Sequence, residues 1–145
     1  DRKGGAVIVG ISAFVFYFIT NLLVLYGSRI REYYADMGAV SLGSEPHYLA
    51  SALYKLVHSA AKASPQAIKQ AEGMKAFFAN DISRAHHEIL DIAQLDLDKS
   101  GHIDEHELAH MKSVHVKLRA FDRVMEVMST HPNMLKRIKA LSGLA

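Results

Sequence analysis

Two carboxylates, Glu32 and Asp36, stand four residues apart directly after a long apolar segment, within the stretch SRIREYYAD at 28–36. Positions i and i+4 are neighbours on one face of a helix, so both side chains can reach a single site. Such a pair suits a metal site in which one carboxylate is the ligand and the other supports it. The alternative that spacing leaves open is a solvated collar of salt bridges with Arg29 and Arg31.

A second group of carboxylates occupies residues 96–107 (DLDKSGHIDEHE). This string matches the twelve-residue calcium loop of an EF-hand, with Gly101 at the sharp turn and Ile103 at the apolar position. The alternative is an acidic turn that only caps the next helix. The expected calcium ligands are Asp96, Asp98, Ser100, the carbonyl of His102, Asp104 and Glu107.

The end of this loop overlaps a formal zinc motif, H-E-x-x-H, at residues 106–110. In zinc peptidases the two His of such a motif are ligands and the Glu is the general base. Glu107 cannot close a calcium shell and act as a free base in the same state, and the calcium loop constrains more positions. We therefore expect the calcium loop and retain His106 and His110 as an alternative zinc pair.

Two strings near the ends of the chain resemble one known family. S-R-x-R-E-x-x-A-D at 28–36 resembles the third-ligand helix of the HtpX family of membrane zinc metalloproteases. S-T-H-P at 129–132, followed by Arg137, Ile138 and Leu141, resembles the S-T-H-P-x-x-x-x-R-I-x-x-L ending of that family. The resemblance is firm over 28–49 and 121–144 and looser between them.

The resemblance implies a peptidase whose zinc is held by two His of an H-E-x-x-H helix and by a later Glu, here Glu32. The metal lowers the pKa of a bound water, and the Glu of the motif accepts its proton during attack on the peptide carbonyl. Asp36 is then expected to orient a ligand His by a hydrogen bond. His131 is expected either near the metal or in capping and packing. Because the H-E-x-x-H precedes the third ligand in the family, we expect the chain to be a carboxy-terminal part that is inactive alone.

The segment from Ala6 to Gly27 is long and apolar enough to span a membrane. Its 22 residues include no charged side chain, and at about 1.5 Å per residue they extend roughly 33 Å, enough for a hydrocarbon core. A signal peptide and a buried core helix are the alternatives. We expect a transmembrane helix at 1–27 and the carboxy-terminal part of a metallopeptidase domain at 28–145.

The apolar periodicity predicts a mainly α-helical fold. The membrane helix should continue to about Val40 and end at 43–46, where Gly and Pro stop it. Ser129 or Thr130 is expected to cap the last helix. Further helices are expected at 47–63, 65–72, 81–95, 104–128 and 132–141, with a short edge strand at 74–79 left open. Core filling is expected from Met111, Met125, Met128 and Met134.

Composition and resemblance together limit the partners. The net charge of +2 gives no reason to expect nucleic acid, and the absence of cysteine is compatible with a reducing compartment. The resemblance implies an integral protein of the plasma membrane with its soluble part in the cytoplasm. It also implies three partners: a peptide or protein substrate, the bilayer and the remainder of the protease. The rival from another class is a non-enzymatic, membrane-tethered calcium-binding module.

Overall fold

The computed structural model describes residues 2–64, 66–67, 69, 85–114 and 120–145, and these ranges are helical with connecting turns and no strand. The helices are α1 (Arg2–Ser41), α2 (Pro46–Ala61), α3 (Ala85–Ile92), α4 (Glu105–Met111), α5 (Ala120–Val127) and α6 (Met134–Ser142). The predicted fold class is confirmed: one long apolar helix leads into a small helical region. The strand considered at 74–79 and most of the helix expected at 65–72 lie outside the described residues.

Helix α1 continues without a break from the apolar segment to Ser41, as predicted. Large apolar side chains from Val7 to Val24 are exposed, and the helix is long and apolar enough to cross a membrane. The two polar side chains Thr20 and Asn21 donate to backbone carbonyl oxygens four residues earlier, at 2.8 and 2.9 Å. Their polar groups are therefore satisfied within the helix itself.

A glycine ends α1 where the sequence predicted it. Gly43 has φ of +100°, in the left-handed region that glycine adopts without a steric penalty. The N–H groups of Gly43 and Ser44 donate to the carbonyls of Val40 and Ala39 at 2.9 and 3.0 Å. These bonds satisfy the last carbonyls of the helix and turn the chain into α2.

Helices α2 and α6 pack at the centre of the helical region, with α3 and α4 against them. The helix predicted at 47–63 is α2, whose Leu53 and Val57 are buried, whereas Leu56 is exposed. The core consists of Ala50, Leu53, Tyr54, Val57, Ile92, Ile103, Leu108, Met111, Met134, Leu135, Ile138 and Leu141. Helix α6 packs inside this core and also contacts α1. Close packing therefore fixes its position relative to α1 and α2.

The helix predicted to run from 104 to 128 is not continuous, because α4 ends at Met111 and turn residues follow. Lys139 of α6 donates its Nζ to the carbonyls of Met111 and Lys112 at 2.6 and 2.8 Å. A continuing helix would have used those carbonyls for its own ladder. A cation at a helix carboxyl end also stabilises the helix dipole, so a tertiary contact stops α4 here.

Two smaller predictions about the last helices were wrong. Asn133, not Ser129 or Thr130, caps α6, and its side-chain oxygen accepts from the N–H of Leu135 at 2.9 Å. Met111 and Met134 fill the core as expected, whereas Met125 and Met128 are exposed. The two exposed methionines belong to α5 and the turn after it, which lie beside α1 and outside the core cluster.

Candidate metal centre

Glu32 and Asp36 point from α1 to one arginine of α6. Asp36 forms a bidentate pair with Arg137, whose Nε and Nη2 donate to its two oxygens at 2.9 and 2.8 Å. Glu32 accepts from Nη1 of the same guanidinium at 2.6 Å. The two carboxylates are thus on one helical face, as their spacing predicted, and a single planar cation holds them together.

Arg137 is buried, with 6% of its surface exposed. Burial disfavours its cation, but the hydrogen bonds and negative charge of Asp36 and the charge of Glu32 outweigh this effect, so the pKa of Arg137 is raised. The guanidinium therefore stays charged at every working pH. Burying an arginine with two carboxylates costs free energy, because the charges lose their water. Removing one partner also destabilises the fold, because it leaves a buried charge uncompensated.

His131 completes the cluster. It lies between α5 and α6, and its Nδ1 contacts the oxygen of Glu32 that Arg137 does not use. Its backbone N–H donates to Ser129 Oγ at 3.2 Å. The other ring nitrogen, Nε2, is buried and has no hydrogen-bond partner among the described residues. One buried polar atom of the cluster therefore lacks a hydrogen-bond partner in the part of the chain that the structure describes.

The chemistry of this cluster fits one ligand position of a zinc site. Two carboxylates face one guanidinium, so the group carries one net negative charge when His131 is neutral. A carboxylate has about four acceptor positions, so the contacts of Glu32 with His131 and Arg137 leave capacity for a metal. Its side chain is 18% exposed, which leaves a face open. Further ligands would have to come from outside this cluster.

The solvated collar is not what the structure contains. Asp36 is buried against Arg137, and Arg29 points to backbone carbonyls near the end of α5. Arg31 alone of the collar residues is exposed. The role expected for Asp36 toward a ligand His stays a prediction, since both of its oxygens here face Arg137 and each can accept a second bond.

The acidic loop at 96–107 brings three of its six expected ligands together. One carboxylate oxygen from each of Asp96, Asp98 and Glu107 lies within 4.8 Å of the others. Gly101 has φ of +83°, the left-handed conformation that a turn at this position requires. Among the residues with described side chains, this is the group of three that could hold a metal ion.

Backbone N–H groups satisfy the carboxylates of this loop. Asp96 accepts from Ser100 and Gly101, each at 2.9 Å, and Asp98 accepts from Ser100 at 2.9 Å. The side-chain and backbone bonds of Ser100 lower the pKa of Asp98. The Ser100 hydroxyl donates to the His102 carbonyl at 3.3 Å, so two more expected ligands lie in the same turn. The loop is thus ordered around its acidic groups.

The loop is also tied to α2 and to the start of α4. Tyr54 donates its hydroxyl to Asp96 at 3.0 Å, and burial together with this carboxylate raises the pKa of Tyr54 to about 12. Asp104 and Glu107 form a capping box, in which each side chain accepts from the other residue's N–H. The helix cap that the sequence left open as an alternative is therefore present.

The alternative zinc pair is not assembled. His106 and His110 are exposed on α4, whereas Glu107 between them is buried in the calcium-like loop. A cavity of about 840 Å³ lies between α2 and α4, and its lining includes His47, His102 and His106. Glu32 does not line it, and among the described residues its histidines do not converge with acidic groups into a metal-binding cluster.

Sequence reasoning missed Arg137 and Arg29 as residues of the site. In the sequence, Arg137 is distinguished only as the R of the family-like string S-T-H-P-x-x-x-x-R-I-x-x-L. Arg29 was assigned to the collar, yet its Nη1 donates to three carbonyls near the end of α5. An arginine beside apolar helix positions, as in the sequence around residue 137, is the signal that could have indicated a buried ion pair.

Comparison with known proteins gives a family for the whole chain. The family model described as Peptidase family M48 matches residues 2–145. No solved structure matches significantly.

Several curated proteins named "Protease HtpX homolog" are similar to the chain. One from Methanothermobacter thermautotrophicus is 61% identical over 57 residues, which cover 39% of this chain and 22% of that protein. One from Pyrobaculum aerophilum is 28% identical over 94% of this chain and 35% of its own length. One from Pyrobaculum calidifontis is 28% identical over 99% of this chain and 38% of its own length. The chain thus spans between about a fifth and two fifths of these relatives.

Proposed function

This chain belongs to peptidase family M48 as an HtpX-type member, and we propose that it supplies the third zinc ligand, Glu32, in a membrane-bound zinc metalloendopeptidase. The observation that carries the proposal is the contact of Glu32 with both His131 and Arg137, which joins the two family-like strings in one cluster. The two ligand His are proposed to come from an H-E-x-x-H motif elsewhere in the protease. The chain alone would then be inactive.

Each residue of the cluster has a defined task in this proposal. Bound zinc would supply a Lewis acid that activates water for attack on a peptide carbonyl. Arg137 holds one oxygen of Glu32 and so limits the rotation of the carboxylate, and Asp36 locks the guanidinium fork from the other side. Fixed in this way, Glu32 keeps lone pairs free for a cation. The buried ion pairs therefore orient the ligand.

His131 is proposed to act on the substrate side of the site. Its Nδ1 faces the Glu32 carboxylate, and because a carboxylate accepts hydrogen bonds, Nδ1 is the donor of this contact. The other ring nitrogen, Nε2, is buried and has no partner among the described groups, and we propose that a polar group of the bound peptide reaches it when the substrate enters. A contact of this kind would orient the peptide for attack.

The geometry of α1 supports a substrate located at a membrane surface. Glu32 follows Gly27, the end of the uncharged stretch, by five residues, which is about 8 Å along a helix. We propose that the site hydrolyses peptide bonds of membrane or misfolded proteins at the bilayer surface. The plasma membrane is the proposed location, with the soluble part in the cytoplasm, and nucleic acid is not a proposed partner.

The first test uses the chain itself in detergent. One carboxylate cannot build a three-ligand site, so calorimetry should detect no tight stoichiometric zinc binding. Tight binding that survives Glu32→Ala but disappears with His106→Ala or His110→Ala would contradict the proposal. That result would move the zinc site to the H-E-x-x-H of α4.

A second function, calcium binding by the loop at 96–107, is proposed as an addition to the protease role. The convergence of Asp96, Asp98 and Glu107 around a left-handed Gly101 supports it. In an EF-hand these carboxylates are calcium ligands at positions 1, 3 and 12. Backbone N–H groups that now hold Asp96 would remain beside it, whereas Glu107 would have to turn from its cap toward the ion.

Calcium should raise the melting midpoint of the chain in detergent relative to a chelator. The three carboxylates repel one another when no cation is present, and calcium at about 100 times its Kd would add roughly 2.7 kcal/mol of stability. Glu107→Gln should abolish the calcium-dependent shift. Glu105→Gln, an exposed neighbour outside the expected ligand set, should retain it. An unchanged midpoint in the wild-type chain would reduce the loop to a capped turn.

A further inference from the structure

Arg29 lies one helical turn before Glu32 on α1 and contacts the end of α5. Its Nη1 donates to the carbonyl oxygens of Glu126, Val127 and Ser129 at 2.8, 3.0 and 2.8 Å. The last carbonyls of a helix have no partner within the helix, and a cation beside them is favoured by the helix dipole. Arg29 therefore caps α5 from a different helix.

The capped segment is the one that delivers His131 to the cluster. Ser129, whose carbonyl Arg29 binds, accepts the N–H of His131 on its hydroxyl at 3.2 Å. Glu126, whose carbonyl Arg29 also binds, accepts the N–H of Asn133 on its carboxylate at 3.3 Å. Ser129 and Glu126, whose side chains accept the N–H groups of His131 and Asn133, therefore have their own carbonyls held by the same guanidinium.

One rigid helix, α1, carries both residues that locate His131, namely Arg29 and Glu32. Arg29 and Glu32 share an unbroken helix, so the separation of their Cα atoms is set by helix geometry. Arg29 fixes the start of the His131 segment, and Glu32 receives the ring itself. The guanidinium also lies over the Tyr26 ring, 5.9 Å from its centroid, which restricts it further.

We propose that Arg29 is a positioning residue for His131, which it holds in register with Glu32 by capping the end of α5. This inference rests on the proposed function of the cluster, because it assigns Arg29 a part in the same site. Arg29 itself contacts neither substrate nor metal. Its effect should therefore be on the turnover step and not on zinc binding.

The test has a spectroscopic part and a kinetic part. In the chain labelled with ¹⁵N-histidine in detergent at one fixed pH, Arg29→Ala should move the ring signals of His131 toward those of exposed histidines. In a zinc-loaded full-length protease that contains this chain, the same change should lower kcat about 10- to 100-fold. KM and zinc content should stay within about twofold of wild type, because the ligands are untouched.

Two variants serve as comparisons. Arg29→Lys keeps a cation at the end of α5 with a shorter reach and no planar fork, so its ring signals and kcat should lie between those of wild type and Arg29→Ala. Arg31→Ala removes an exposed arginine from the same helix and should leave both readouts unchanged. Should Arg29→Ala not fold, the folded Arg29→Lys protein still has to show His131 ring signals shifted toward those of exposed histidines and a kcat below that of wild type.

Wild-type ring signals and wild-type kcat in folded Arg29 variants would overturn the proposal. So would a fall in kcat that follows an equal loss of zinc. A failure of the zinc role gives a different pattern, since Glu32→Gln would then leave the zinc content unchanged while Arg29→Ala still displaced the His131 ring.

Discussion

Glu32→Gln should reduce peptide hydrolysis to background in a protease that contains this chain, whereas Asp36→Asn should leave measurable activity. Glutamine keeps the size of the side chain but loses the negative charge that a zinc ligand of this kind supplies. Asp36→Asn leaves Glu32 in place and loosens the Arg137 fork that orients it. Losses of such supporting contacts cost about 10- to 100-fold in activity or metal affinity.

The difference in hydrolysis activity between Glu32→Gln and Asp36→Asn distinguishes a zinc ligand from a residue that supports it. Added zinc should restore part of the activity of Asp36→Asn, because its ligand is weakened and not removed, and should restore none to Glu32→Gln. Hydrolysis rates at a series of zinc concentrations measure both effects. Equal activity losses in the two variants, with equal responses to zinc, would contradict a division of labour between ligand and support.

Arg137→Met should cause the largest loss of stability of any single substitution in the cluster. Arg137 is buried and pairs with two carboxylates of α1, so its removal leaves Asp36 buried and uncompensated. Breaking a buried ion pair in this way costs about 3 to 5 kcal/mol. Denaturant unfolding of the chain in detergent would measure the free energy of unfolding.

The neighbouring Lys136 provides a matched control for that measurement. Lys136 also pairs with a carboxylate, that of Glu126, but its side chain is 41% exposed. Such partly exposed pairs contribute about 0 to 1 kcal/mol, so Lys136→Gln should be nearly neutral. A stability loss for Arg137→Met no greater than that for Lys136→Gln would show that the buried ion pairs do not hold α1 to α6.

The continuity of α1 could be predicted because its causes are local. No proline interrupts the segment between Ala6 and Ser41, and Gly43 then supplies the left-handed terminus. The end of α4 could not be predicted, because Lys139 from another helix occupies its last carbonyls. Apolar periodicity indicates that a segment prefers to be helical. It does not indicate a tertiary contact that overrides this preference.

The sequence could predict which types of residue form the candidate site, but not which ion pairs and hydrogen bonds those residues make with one another. Glu32 and Asp36 share a face because of their spacing, and resemblance to a family drew attention to His131. The partner of Asp36 is 101 residues away in Arg137, and no local pattern specifies which cation reaches a given carboxylate. For the same reason the sequence indicated only a solvated collar as a place for Arg29, although its acceptors lie about 100 residues further along.

Zinc content per folded molecule tests the central claim, that Glu32 is a metal ligand, most directly. The measurement compares wild type, Asp36→Asn and Glu32→Gln in a full-length protease that contains this chain, after dialysis against a weak chelator and with folding verified for each. The account predicts about one zinc per molecule for wild type, a partial content for Asp36→Asn and almost none for Glu32→Gln. A folded Glu32→Gln protein that retains the wild-type zinc content would contradict it.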